Sequence, residues 1–219
     1  MIEEIEDLDR ELPIWGPELV VATAIVLAFV LPTKLTVGPR WLLPGIEAVL
    51  LIGLIIASPR PRVRRSRTRR WLAIALVALV SATNIVSLTL LCRFLLRGGQ
   101  ENGRSLIYAG ALLYLTNVLL FGLWYWELDR GGPAARMRKH DRERVDFLFP
   151  QMTDERWAPK HWLPGLGDYL YVSLTNATAF SPTDTMPLTQ TAKGLMSAQS
   201  LVSLVTIGLV VARAVNILS

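Results

Sequence analysis

The residues best suited to act on a small solute are a run of hydroxyls with one carboxylate. Thr175 and Thr178 close a short helical stretch, and Ala179, Phe180, Ser181, Pro182, Thr183 and Asp184 follow it. Pro182 and Pro187 break the helix there, because proline lacks an N–H and clashes with the preceding turn. The segment is therefore expected to be an extended polar strand. Hydroxyls of Thr178, Ser181 and Thr183 can replace part of an ion's hydration shell, and a carboxylate at Asp184 favours cations. Farther on, Gln199, Ser203, Thr206, Val210 and Arg213 recur at spacings of four, three, four and three, which places them on one helical face. A polar stripe on a membrane helix lines a cavity or bonds to a neighbouring helix. Ser203 and Thr206 suit helix packing at least as well as a cavity, whereas Gln199 favours the cavity. Arg213, near its helix end, fits a side chain that snorkels to the interface.

Little else in the chain points to chemistry. The two histidines, His140 and His161, lie in a charged loop, and Cys92 is the single cysteine, so no intrachain disulfide can form. Residues this sparse argue against a zinc site or a histidine-based triad. There is no Gly-rich phosphate loop, no metal-ligand spacing and no internal repeat. The lack of an inverted repeat counts against a single-chain secondary transporter. Asp168, Asp184 and Tyr171 can converge, but no nucleophile–base pair is visible. No enzyme activity, cofactor or metal is expected. Asn176-Ala-Thr178 matches the glycosylation acceptor pattern, which reads as chance in a segment of this kind. A carboxylate inside a membrane helix is a functional candidate by default; Glu47 lies only six residues into its span and is expected to reach headgroup water. Asn84 and Asn117 are expected to hydrogen-bond across a helical hairpin, and Gly53, Gly110 and Gly122 to let helices approach closely.

The elements that must position these residues are membrane helices. Of 219 residues, 52% are apolar and 19% charged, against about 25% charged in a soluble domain, and the apolar residues come in long runs. A span needs about 20 such residues, because the hydrocarbon core is about 30 Å thick. Five runs qualify: Trp15 to Leu35, Trp41 to Ser58, Trp71 to Leu96, Leu106 to Trp126 and Ala192 to Leu218. Trp15, Trp41, Trp71 and the cluster Trp124-Tyr125-Trp126 stand at span ends, where amphipathic rings prefer the headgroup level. The acidic N-terminus lacks the basic stretch of a signal peptide, so the first run is expected to remain a membrane helix. Asp168 to Thr178 has helical composition but is too short to cross at about 1.5 Å per residue. It reads as a re-entrant or interfacial helix, with Asp168 as its N-cap or first-turn acid. Irregular backbone at membrane depth is tolerated only when buried in protein or lining a water-filled cavity. Short helix, polar strand and full span, in that order, build a pore loop.

Charge gives the orientation. Arg60, Arg62, Arg64, Arg65, Arg67, Arg69 and Arg70 crowd the loop between the second and third runs, and Arg130, Arg136, Arg138, Lys139, Arg142 and Arg144 follow the fourth. Basic loops are retained in the cytoplasm, so both are expected inside, with the N-terminus inside and the C-terminus outside. Anionic lipid headgroups are their natural partners; nucleic acid is not, because no aromatic residues interleave with the arginines. Residues 128–165 read as a surface loop with an interfacial piece and solvated charges. It separates an N-terminal four-helix region, 1–127, from the short helix, strand and last span, 166–219.

Two resemblances follow from these residues. The stretch from Trp124 to Leu218 resembles a family of bacterial integral membrane proteins to which no chemistry is assigned. It does so through the Gly131-Gly132 pair, the step from Asp146 to Pro150, the Asp168-Tyr-Leu-Tyr171 start and the Val215-Asn-Ile217 end. The segment from Asp168 to Gln199 is also similar to the pore module of two-transmembrane potassium channels. Thr175-Asn-Ala-Thr178 looks like the end of a pore helix, Asp184 and Pro187 stand where the post-filter Asp and Pro would, and Lys193 to Gln199 resembles an inner-helix start. Potassium filters need glycines so that successive carbonyls point at the ion. Here Ala179-Phe-Ser-Pro-Thr183 replaces them, so potassium selectivity is not expected. The segment also enters from the cytoplasmic side, as in glutamate-receptor channels and unlike potassium channels.

The expectation is an all-α membrane protein of about five transmembrane helices, with a short re-entrant, pore-type helix before the last span, in the cell membrane. Its implied function is channel-like. Copies assemble around an axis, most simply four, with the constriction at Thr175, Thr178 and residues 179–184, and with Gln199, Ser203 and Thr206 lining the cavity. The other reading is a small transporter or accessory membrane subunit, in which the polar strand is a structural crossover.

Overall fold

A computed structural model describes residues 16–36, 38–39, 41–57, 67–96, 103–138, 145–154, 156, 162–178 and 184–218. The structure is mostly helical. In chain order the helices are α1 (Gly16–Val30), α2 (Leu42–Ala57), α3 (Arg67–Leu96), α4 (Gly103–Leu128), α5 (Pro133–Arg138), α6 (Leu166–Thr178) and α7 (Gln190–Leu218). Two short strands, β1 (Phe147–Leu148) and β2 (Met186–Pro187), pair antiparallel with Phe147 opposite Pro187. Single 3-10 turns stand at Thr33–Leu35, Asp129–Gly131 and Pro150–Met152.

Among the described residues, three stretches are long and apolar enough to cross a bilayer: Thr68–Leu95 in α3, Arg104–Gly131 through α4, and Gln190–Arg213 in α7. α1 and α2 are apolar but shorter, at 15 and 16 residues. Large apolar side chains cover the outside, among them Leu19, Val26, Ile52, Ile56, Leu201, Leu204, Val211 and Val215. Exposed apolar surface on that scale suits lipid rather than water.

Local sequence sets the helix ends. The first apolar run does not continue as helix to Leu35: α1 stops at Val30, and Thr33–Leu35 forms a separate 3-10 turn behind Pro32. Proline pushes the residue before it out of the helical region. Leu35 still buries itself against Leu88 and Leu91 of α3. α6 starts with a side-chain bond to its own cap: the Gly165 amide donates to Asp168 Oδ2 at 2.7 Å. That is the N3 half of a capping box, which satisfies one of the free amides at a helix start.

Packing divides the bundle. α1, α2, α3 and α4 share a cluster built on Val21, Ala24, Leu51, Leu54, Leu76, Val80, Leu120 and Leu123. α6 and α7 both lie against α4. A Cβ added at Gly122 would stand 2.6 Å from Leu170 Cδ2, and Ser173 Oγ donates to the Val118 carbonyl at 2.6 Å. As α6 advances, its partners on α4 step backwards, so the two helices are antiparallel. α7 also runs antiparallel to α4, from Gln199 beside Tyr125 to Val210 beside Gly110. β2 pairs with β1, and the β1 residue Phe147 donates its amide to Asp129 just past the end of α4. The chain therefore enters α6 at the C-terminal end of α4 and is back at that end by Met186.

Candidate functional site

The sequence-predicted constriction is described in part. Thr175 donates to its own helix at Tyr171 O, 2.9 Å, and Thr178 to Thr175 O, 2.8 Å. Both hydroxyl protons are thus taken up locally, and the oxygens keep lone pairs free to accept. Asp184 is exposed and Thr185 is buried, just ahead of β2. Ala179, Phe180, Ser181, Pro182 and Thr183 lie outside the described residues, as do Arg60, Arg62, Arg64, Arg65, Lys139, Arg142, Arg144, His140 and His161.

The predicted cavity-lining stripe has a different place. Gln199 and Ser203 are fully buried, and Thr206 nearly so. Gln199 Nε2 donates to Ser173 O at 2.9 Å and to Ser173 Oγ at 2.7 Å. Its Oε1 accepts from Tyr125 Oη at 2.5 Å and from Asn176 Nδ2 at 2.9 Å. Asn176 Nδ2 also donates to Met196 O, and Ser200 Oγ to Asn176 Oδ1. Deeper along α7, Asn117 Nδ2 donates to Ser203 Oγ at 2.9 Å, and Thr206 donates back to Val202 O. The stripe is thus the seam among α4, α6 and α7, and its polar atoms are engaged in helix contacts rather than presented to a lumen. A buried amide with four partners fixes the relative height and rotation of three helices, because each lost partner would leave an unsatisfied polar group.

Asn117 bonds Ser203 on α7 rather than Asn84 across the α3–α4 hairpin. The hairpin bond is made instead by Trp124 Nε1 to Ser81 Oγ, 3.0 Å. Glu47, expected to reach headgroup water, is fully buried and meets Thr83 of α3 at 2.9 Å. α3 covers it, and a helix position six residues from a span end does not reveal that cover.

The largest departure from expectation lies just after α4. Asp129 is fully buried and Arg136 is 3% exposed, where a solvated loop was expected. Asp129 Oδ1 accepts the amides of Asp146 (3.0 Å) and Phe147 (3.3 Å), and Oδ2 accepts the Tyr169 hydroxyl (2.5 Å). Arg136 Nη1 donates to Trp126 O at 2.6 Å and to Asp129 O at 3.0 Å, capping the end of α4. Its guanidinium stands 5.0 Å from the centre of the Tyr169 ring and 5.7 Å from that of Trp126. Burial lowers its pKa from the usual arginine value, and Tyr169, Asp129 and Glu127 oppose that shift. Asp146 closes the ring of contacts: Oδ2 accepts the Arg130 amide at 2.8 Å, and Oδ1 accepts the Thr189 hydroxyl at 2.6 Å. Thr189 Oγ1 in turn accepts the Ala192 amide at the start of α7.

The backbone bends sharply to allow this. Arg130, Gly131 and Gly132 have φ of 52°, 80° and 94°. The glycines adopt this freely, but a left-handed arginine costs on the order of 1 kcal/mol. A Cβ at Gly132 would stand 3.0 Å from Glu127 O, so a glycine is required there for space as well. A Gly-Gly pair after a helix is legible as a turn; that its preceding aspartate becomes a buried hub is not, because the partners come from residues 146, 147 and 169.

Among the described residues, no group of His, Cys, Asp or Glu has the arrangement of a metal site. No family model matches the chain, and neither a curated protein nor a solved structure matches it.

Proposed function

We propose that the chain is a multi-pass membrane protein of channel-like design, in which α4, α6 and α7 form a helix, half-helix, helix module. One observation carries the reading: α6 runs down beside α4 from its C-terminal end, and the chain returns to that end at β2. Thirteen residues of helix reach about 20 Å at 1.5 Å per residue, less than a bilayer core of about 30 Å. Length alone does not set α6 apart from α1 and α2, at 15 and 16 residues; leaving at the end where it entered does, and such an element is read as re-entrant. α1 and α2 complete five spans, and the Arg69–Glu18 ion pair, 2.7 Å, ties the start of α1 to the start of α3. The basic loops then hold that end in the cytoplasm of a cell membrane, against anionic headgroups, and the N-terminus lies on that side.

In a ring of copies, most simply four, Thr175, Thr178 and residues 179–184 form the constriction, with the exposed Asp184 carboxylates favouring small cations. The filter lacks the glycines for potassium selectivity. A second reading, a transporter or accessory subunit without its own pore, draws on the seam. Gln199, Ser203 and Thr206 are satisfied within one chain, so α6 is positioned without a second copy. Native mass spectrometry in lipid nanodiscs, followed by flux from vesicles, separates the two. The channel reading expects a closed ring and a cation flux that falls at least several-fold in Asp184→Asn. A monomer or dimer without flux establishes the second reading.

A further inference from the structure

Glu47 lies in α2, a helix with no other charged residue, and none of its surface is exposed. Its Oε1 stands 2.9 Å from Thr83 Oγ1 on α3, and its Oε2 has no hydrogen-bond partner among the described residues. Thr83 Oγ1 also lies 3.1 Å from Leu79 O. One hydroxyl carries one proton, so Thr83 cannot donate fully to both oxygens. A proton on Glu47 resolves the conflict. The carboxyl O–H then donates to Thr83 Oγ1, and the Thr83 O–H donates to Leu79 O. Both hydroxyls are satisfied, and the oxygen left without a partner is a neutral carbonyl rather than half of a charge.

Among the described residues, the surroundings offer no counter-charge. Of the helices packed on α2, α1 carries Glu18 alone, paired with Arg69 at the opposite end. On α3, Arg69 and Arg70 precede Thr83 by more than three turns. Arg93, exposed, and Cys92 follow it by more than two. Lys34, exposed, stands against the ring of Phe94, farther along α3 still. A carboxylate buried without a cation is driven towards its neutral form.

We propose that Glu47 is a proton-binding site of the membrane bundle, occupied at neutral pH, whose proton bridges α2 to α3 through Thr83. Exposed glutamates ionise at about pH 4.3, so at pH 7 an acid group is distinguishable from them. The site stands whether or not the protein conducts ions.

Infrared difference spectroscopy of the protein in nanodiscs at pH 7 tests the proposal. Wild type minus Glu47→Gln is expected to show one carboxylic-acid carbonyl band that moves on deuteration. In Thr83→Val, which keeps the carboxyl and matches threonine in shape, the band is expected at higher frequency. If the difference between wild type and Glu47→Gln holds carboxylate stretches only, Glu47 is ionised and the proposal is overturned. If Glu47→Gln does not fold, Thr83→Val minus wild type decides. A shifted acid band supports the site, and a spectrum with no change in the acid region overturns it.

Discussion

The two sides of the bundle are held by different forces. α1, α2 and α3 meet mostly through aliphatic side chains such as Val21, Leu51, Leu54, Val77 and Val80, with the Arg69–Glu18 ion pair and the Glu47–Thr83 hydrogen bond as the polar exceptions. α4, α6 and α7 meet through amides, hydroxyls and a buried carboxylate, centred on Gln199 and Asp129. In lipid the first kind of contact has little hydrophobic drive, because acyl chains are as apolar as leucine, and it rests on close packing. A long apolar helix such as α3 tolerates that, since a bilayer sets its tilt and depth. The 13-residue α6 has less apolar length to fix it. α6 needs directional bonds at both ends, and it has them: Tyr169 on Asp129 at its start, and Ser173 and Asn176 on Gln199 farther along.

The comparison breaks most severely at Asp129. Asp129→Ala removes the acceptor of two backbone amides and of Tyr169, breaks the ion pair with Arg130, and leaves the buried Arg136 with Glu127 as its remaining acidic neighbour. Breaking such a buried set costs about 3–5 kcal/mol. Unfolding by denaturant in detergent micelles should show that loss, or no folded protein at all. Asp129→Asn keeps the shape and is expected to lose less. Next is Gln199→Leu, which fits the volume but strands the Tyr125 hydroxyl and takes one partner each from Asn176, which keeps Met196 O, and Ser173, which keeps Val118 O. Unsatisfied buried groups cost about 1–3 kcal/mol, and a loss of about 2 kcal/mol is expected. If Gln199→Leu leaves stability unchanged but alters flux, the residue lines a path after all, and the contrast between the two sides fails.

The sequence made the apolar side legible and left the polar side half-read, for one physical reason. Helices in lipid announce themselves by uninterrupted apolar runs, so α2, α3, α4, α6 and α7 fall within a few residues of their expected bounds. Only α1 ends early, at a proline that was in plain view. The periodicity of Gln199, Ser203 and Thr206 correctly puts them on one face, but periodicity does not say what that face meets. The partners of Gln199 are Tyr125, Ser173 and Asn176, up to 74 residues away, and no local pattern encodes that pairing. Asp129, Arg136 and Asp146 were hidden more deeply, because charges after a span ordinarily mean solvent. The one local hint was Gly131-Gly132, which marks a turn too tight for an open loop.

Gly122→Ala sharpens the comparison at smaller scale. The added methyl would stand 2.6 Å from Leu170 Cδ2 and 3.2 Å from Leu170 Cα. Overpacking of this kind costs about 1–3 kcal/mol, and a value near the low end is expected, because the leucine tip can turn. Leu170→Ala in the same chain should recover part of the loss, measured as a double-mutant cycle. Full additivity of the two changes would mean that α6 does not rest on Gly122.

The smallest effect belongs to the seam between the two sides. Trp124 of α4 reaches α3 through one hydrogen bond, Nε1 to Ser81 Oγ, and Ser81 donates onward to Val77 O at 2.7 Å. Trp124→Phe keeps an aromatic ring and removes the donor, leaving Ser81 still bonded within its own helix. Interhelical hydrogen bonds in membrane proteins average about 0.6 kcal/mol, and a change of that order is expected. Ser81→Ala removes the acceptor and leaves the Trp124 Nε1–H without a partner, so it should cost more than Trp124→Phe. A cost above about 2 kcal/mol for Trp124→Phe itself would show that α3 depends on α4 for a directional bond as α6 does. The apolar side would then need the same kind of anchoring as the polar one.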